Sequence, residues 1–77
     1  MQGRLRKNLI GRWEIVNDLD ERVEISSGDV IEVYRGERGW VRTRIEHNGR
    51  DYVALVGGEL STGMLARESG VPRFSPG

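Results

Sequence analysis

The chain has no cysteine and a single histidine among its 77 residues. Without thiols there is no disulfide to staple a small domain and no thiolate metal site, and zinc would have to be held almost wholly by carboxylates. No metal or cofactor is expected. The longest apolar run is Val53 to Val56, with Gly57 as a generous extension, and spanning a bilayer takes roughly 20 residues. The amino terminus carries no apolar core of signal-peptide type, so a cytoplasmic protein with no membrane role is expected. Heptads, internal repeats and long helical periodicity are also missing, and no helical architecture is indicated. Both prolines, Pro72 and Pro76, lie in the stretch from Ser69 to Gly77. That stretch reads as a flexible tail, with Phe74 as an incidental apolar residue or a docking residue.

Two ligand-binding motifs are absent. Gly57-Gly58-Glu59 lacks the following lysine and helix of a phosphate loop, and Asp18 and Asp20 lack the acidic repeat and glycine of a calcium loop. His47 precedes the turn dipeptide Asn48-Gly49, and no serine, cysteine or second histidine stands at a legible spacing to form a nucleophile–base pair. The expectation is a protein that is not an enzyme. Ser26, Ser27 and Thr43 have ordinary roles as turn and strand residues.

What is present is charge, and it is segregated. Twelve basic and twelve acidic residues cancel overall, but Arg4, Arg6, Lys7 and Arg12 stand without an acid, and Glu14, Asp18, Asp20, Glu21, Glu24, Asp29 and Glu32 stand against Arg22 alone. Arg35, Arg38, Arg42, Arg44 and Arg50 then swing back against Glu37 and Glu46. Separate acidic and basic patches follow. Eleven of the twelve basic residues are arginine, whose planar fork suits carboxylates, phosphates and aromatic faces. A GC-rich genome accounts for that bias equally well.

A chain this short forms one domain and buries roughly 60% of the surface its unfolded form exposes. Glycines at 28, 36, 39, 49, 57, 58 and 63 cut it into segments of strand length. Strands are expected at Arg12 to Val16, Val30 to Arg35, Trp40 to His47, Asp51 to Val56 and Met64 to Arg67, with an extra one around Leu5 to Leu9. Asn17 to Ser27 is read as a long acidic loop, or as a hairpin through Arg22 to Ile25. Period-two alternation sends Val41, Thr43 and Ile45 to the core and leaves Trp40, Arg42, Arg44 and Glu46 outside. By the same rule Ile31 and Val33 point inward while Glu32 and Tyr34 point outward, and Trp13 and Ile15 point inward. Leu60 and Leu65 are expected to plug an open end. In Asp51 to Val56 the two faces compete, Val53 and Leu55 against Tyr52, Ala54 and Val56.

Gly28-Asp29, Val30-Ile31-Glu32-Val33, a tight loop, and Trp40 followed by Thr43-Arg44-Ile45-Glu46 resemble a small SH3-like barrel domain. With Gly3-Arg4-Leu5, Gly11-Arg12-Trp13 and Tyr52, the pattern more narrowly resembles a family of short proteins of unknown function from bacterial phages and mobile elements, over about residues 3 to 67. The resemblance implies an all-β fold, a small SH3-like barrel of about five short antiparallel strands over residues 1–68, followed by the tail 69–77. It implies no activity. The paired tyrosines of proline-binding SH3 domains are missing.

The outward row Trp40, Arg42 and Arg44, beside Tyr34, is the leading candidate surface, since an aromatic flanked by arginines on a rigid strand can anchor a protein or stack a base. The alternative is a cross-strand ladder in which Arg42 and Arg44 pair with Glu32 and Asp51. Asp18, Asp20 and Glu21 form a second candidate surface, for a basic partner. The expected function is a non-catalytic binding module, an accessory protein of a mobile element that binds a protein partner, as a monomer or weak homodimer. Nucleic acid is the alternative partner, through the arginine and tryptophan face with Arg4, Arg6, Lys7 and Arg50. Zero net charge and the acidic loop count against it.

Overall fold

The computed structural model describes residues 1–56 and 58–69. Seven strands form, β1 (Gln2–Lys7), β2 (Trp13–Val16), β3 (Arg22–Glu24), β4 (Val30–Tyr34), β5 (Trp40–His47), β6 (Tyr52–Ala54) and β7 (Leu65–Glu68), with one 3-10 turn at Gly36–Arg38. All pair antiparallel in one sheet of order β3-β2-β1-β7-β4-β5-β6, which does not close. The fold is all-β, as the spacing of turn residues suggests. Seven strands form where a small barrel of about five was expected, and the sheet is open.

Each departure has a local cause. β1 shows only two inward residues, Gly3 and Leu5, among charged neighbours, so its alternation is nearly invisible in the sequence. Gly3 is required there: a Cβ at this position would lie 2.3 Å from the Val16 carbonyl oxygen, inside contact distance of the β2 backbone. The acidic segment yields β3, and Ile25 continues the pairing by donating to the Trp13 carbonyl at 2.8 Å. The hairpin reading of Arg22 to Ile25 is therefore the observed one. Asp51 to Val56 shortens to β6, with Tyr52 and Ala54 packed on the core and Val53 facing out.

The core holds Leu5, Trp13, Ile15, Ile25, Ile31, Val33, Ile45 and Ala66. In β5, Thr43 and Ile45 are buried, Val41 packs against the core, and Arg42 and Arg44 are exposed, so the expected register holds. Leu60 packs on the core, but Met64 rather than Leu65 joins it, because Ala66 takes the inward position of β7 and parity turns Leu65 out. Glu14, on the outer face, is unexpectedly buried at 7% exposure, under Arg6 and Arg22. The expected tail lies outside the described residues beyond Ser69, Phe74 included.

Candidate functional site

Strands β7, β4 and β5 lie side by side and turn one face outward. The ladder sets Tyr34 opposite Trp40 and Glu32 opposite both Arg42 on β5 and Arg67 on β7. Cross-strand neighbours at this spacing touch. The Tyr34 and Trp40 rings meet edge to face, 5.6 Å between centroids at 69°, a favoured aromatic geometry. Arg67 lays its guanidinium 4.0 Å from the Trp40 centroid while its Nε donates to Glu32 at 3.0 Å.

This arrangement decides most of the ladder question raised by the sequence. Glu32 is engaged by Arg67 and Asp51 by Lys7, so neither pairs with Arg42 or Arg44. Arg44 binds Glu46 on its own strand at 2.7 Å, and Glu46 also accepts from the Ser27 hydroxyl at 3.1 Å. Arg42 is exposed and has no ion pair among the described residues. The face thus carries one uncommitted cation beside a fixed aromatic pair. Arg67 was not among the residues singled out from sequence, and no local signal could have found it. Its place beneath Trp40 depends on the last strand entering between β1 and β4.

The acidic residues are arranged differently. Asn17 Oδ1 accepts from the amides of Leu19 and Glu21, each at 3.0 Å, and Asn17 Nδ2 donates to Glu21 Oε1 at 2.9 Å. Asp20, at φ 61°, pairs with Arg22 at 3.1 Å. Two of the three acids are therefore used to hold a tight β2–β3 turn, and Asp18 alone is without a partner among the described residues. Along the sheet, β1, β7 and β4 separate this turn from Trp40. The structure does not bring the two candidate surfaces together.

A third cluster lies at the unpaired flank of β6. The Trp13 indole donates to the Tyr52 carbonyl at 3.1 Å, and Lys7 Nζ bonds Asp51 Oδ2 at 2.6 Å while sitting 5.2 Å from the Trp13 centroid. Arg12 and His47 flank the Tyr52 ring at 5.8 and 4.8 Å. The Lys7 hydrogen bond, then the Tyr52 amide, hold the Asp51 carboxyl below its ordinary pKa. Its hydrogen bond to Glu24 raises that of Arg12. His47 Nδ1 accepts from the Gly49 amide at 3.1 Å, which fixes the β5–β6 turn. Among the described residues no three acidic or imidazole groups are grouped to hold a metal, and no helix is long and apolar enough to cross a membrane.

The architecture is that of a small antiparallel all-β domain with a mixed arginine, carboxylate and aromatic outer face. Residues 3–68 match the family described as a domain of unknown function, DUF5348, and the chain belongs to that family. No curated protein and no solved structure matches it.

Proposed function

We propose that the chain is a non-catalytic binding module that contacts a protein partner through the outward face of β4, β5 and β7. The observation that carries this reading is the Arg67–Trp40–Tyr34 stack with uncommitted Arg42 beside it. Tryptophan, tyrosine and arginine held in place are the residues that dominate protein contacts, because they bury large areas with little ordering cost. Glu32 and Glu46 sit among the arginines and neutralise Arg67 and Arg44. A polyanion would meet those carboxylates at close range, so protein is favoured over nucleic acid.

We propose further that the open sheet is a variant of the SH3-like small barrel, on the pattern of Gly28 to Val33 and Trp40 to Glu46. An accessory role in a mobile element, in the cytoplasm, is the setting we propose, by family resemblance alone. The test is retention on heparin at low salt, followed by a gel shift with duplex and single-stranded DNA. Weak retention with a shallow salt slope is expected. Tight retention with a steep slope would transfer the face to nucleic acid. In parallel, proteins captured by the intact chain are expected to be lost with Trp40→Ala and with Arg42→Glu. Capture unaffected by both variants would remove this face as the contact surface.

A further inference from the structure

β6 is an edge strand, paired with β5 on one flank and with no strand of the described residues on the other. The free flank borders a cleft of about 550 Å³ lined by Trp13, Ala54 and Leu60 and, on its polar side, by Lys7, Asp51 and Glu59. The hydrogen-bond parity of the sheet fixes what β6 offers there. Ile45 donates to the Asp29 carbonyl and accepts from the Gly28 amide, on the side away from β6, so the Ile45–Ala54 pair is of the non-hydrogen-bonded kind. Ala54 therefore turns its N–H and C=O away from β5, toward the cleft, and neither has a partner among the described residues. Tyr52 presents the same flank, but its carbonyl accepts from the Trp13 indole and its amide donates to Asp51 Oδ1 at 2.8 Å. Ala54 is the open position.

A donor and an acceptor side by side on an edge strand are what an added extended strand binds. The side chain directly opposite Ala54 in such a pairing shares the Ala54 face, which belongs to the apolar core. At the polar side Lys7 and Asp51 neutralise each other, and Glu59 is left without an ionic partner among the described residues. We propose that this cleft takes a short extended segment of a partner protein. The segment pairs both backbone groups of Ala54, sets an apolar side chain toward Trp13 and Leu60, and carries a lysine or arginine that meets Glu59. The site is separate from the Trp40 face, and its failure would leave that reading standing.

Two blocked peptides serve as probes, acetyl-Val-Lys-Val-Lys-Val-amide and its counterpart with glutamate for lysine, titrated into the isotope-labelled full chain and followed by amide resonances. The basic peptide is expected to shift the Ala54 amide and the Trp13 indole saturably, and to bind about fivefold more tightly than the acidic one. Ala54→Pro removes the donor on the free flank of an edge strand, where proline is tolerated, and is expected to weaken binding about tenfold. If that variant loses the Trp13 indole resonance of the folded chain, Leu60→Lys, which places a cation in the cleft, is expected to give a similar loss. No saturable shift at Ala54 with either peptide, equal binding of the two, or shifts confined to Trp40 and Tyr34 would overturn the proposal. An Ala54 shift that follows protein concentration alone would assign the edge to a second copy of the chain and overturn it equally.

Discussion

Arg67 and Arg42 both stand opposite Glu32, yet only one of them holds the sheet together, and their alanine variants should behave very differently. Arg67→Ala removes the 3.0 Å bond to Glu32 and the guanidinium 4.0 Å from the Trp40 centroid. A hydrogen bond to a charged group contributes about 1.5–3 kcal/mol. With Arg67 36% and Glu32 19% exposed, solvent screening brings this toward about 1 kcal/mol. Stacking on the indole adds about 0.5–1 kcal/mol. Arg42 can swing to the vacated carboxylate and recover part of the loss. The net cost is then about 1–2 kcal/mol, which for a domain of this size lowers Tm by about 4–8 °C per kcal/mol. Arg42→Ala breaks no ion pair and should stay within about 0.5 kcal/mol. Urea unfolding followed by tryptophan emission, with calorimetry for Tm, reads both. Arg42→Ala matching Arg67→Ala, or Arg67→Ala leaving Tm unchanged, would refute this division of roles.

Further variants probe the other parts of the fold. Gly3→Ala should cost about 1–3 kcal/mol by overpacking, measured by the same urea titration, because its Cβ would meet the Val16 backbone; a silent Gly3→Ala would place β1 further from β2. Ile45→Ala, at a fully buried position, should cost about 2–5 kcal/mol, whereas the doubly exposed change Arg42→Ala with Arg44→Ala should leave Tm nearly unchanged. The Asp51 carboxyl is held low in the folded chain, so its contribution is present above the unfolded carboxyl range near pH ~4 and is lost as pH falls through the lower folded value. The stability difference between the parent chain and Asp51→Asn should therefore shrink in acid. A difference constant from neutrality to strong acid would show that Lys7 does not bind this carboxylate.

How much of this could be read beforehand varied with how local the cause was. β5 was legible residue by residue, since Val41, Thr43 and Ile45 alternate cleanly with Trp40, Arg42 and Arg44, and β4 likewise. β1 was obscured because one of its two inward residues is a glycine, which reads as a breaker, and the rest are mostly charged. β3 has three residues and a single half-buried one, too little period to register. The pairing of Arg67 with Glu32 and the stacking on Trp40 join residues far apart in sequence. They follow from sheet order, which local alternation does not encode. For the same reason the row Trp40, Arg42 and Arg44 was identified while the reason Arg42 alone is uncommitted was not.

β7, the last strand among the described residues, lies between β1 and β4 in the middle of the sheet. Before it is made, a growing chain consists of two three-stranded meanders, β1 to β3 and β4 to β6, joined covalently but without a shared ladder across their facing edges. The slow search of non-local pairing thus waits until β7 has been made. A chain stopped before Leu65 would add the flanks of β1 and β4 to the edges already open at β3 and β6, a shape prone to capture by neighbours rather than to quiet loss of function.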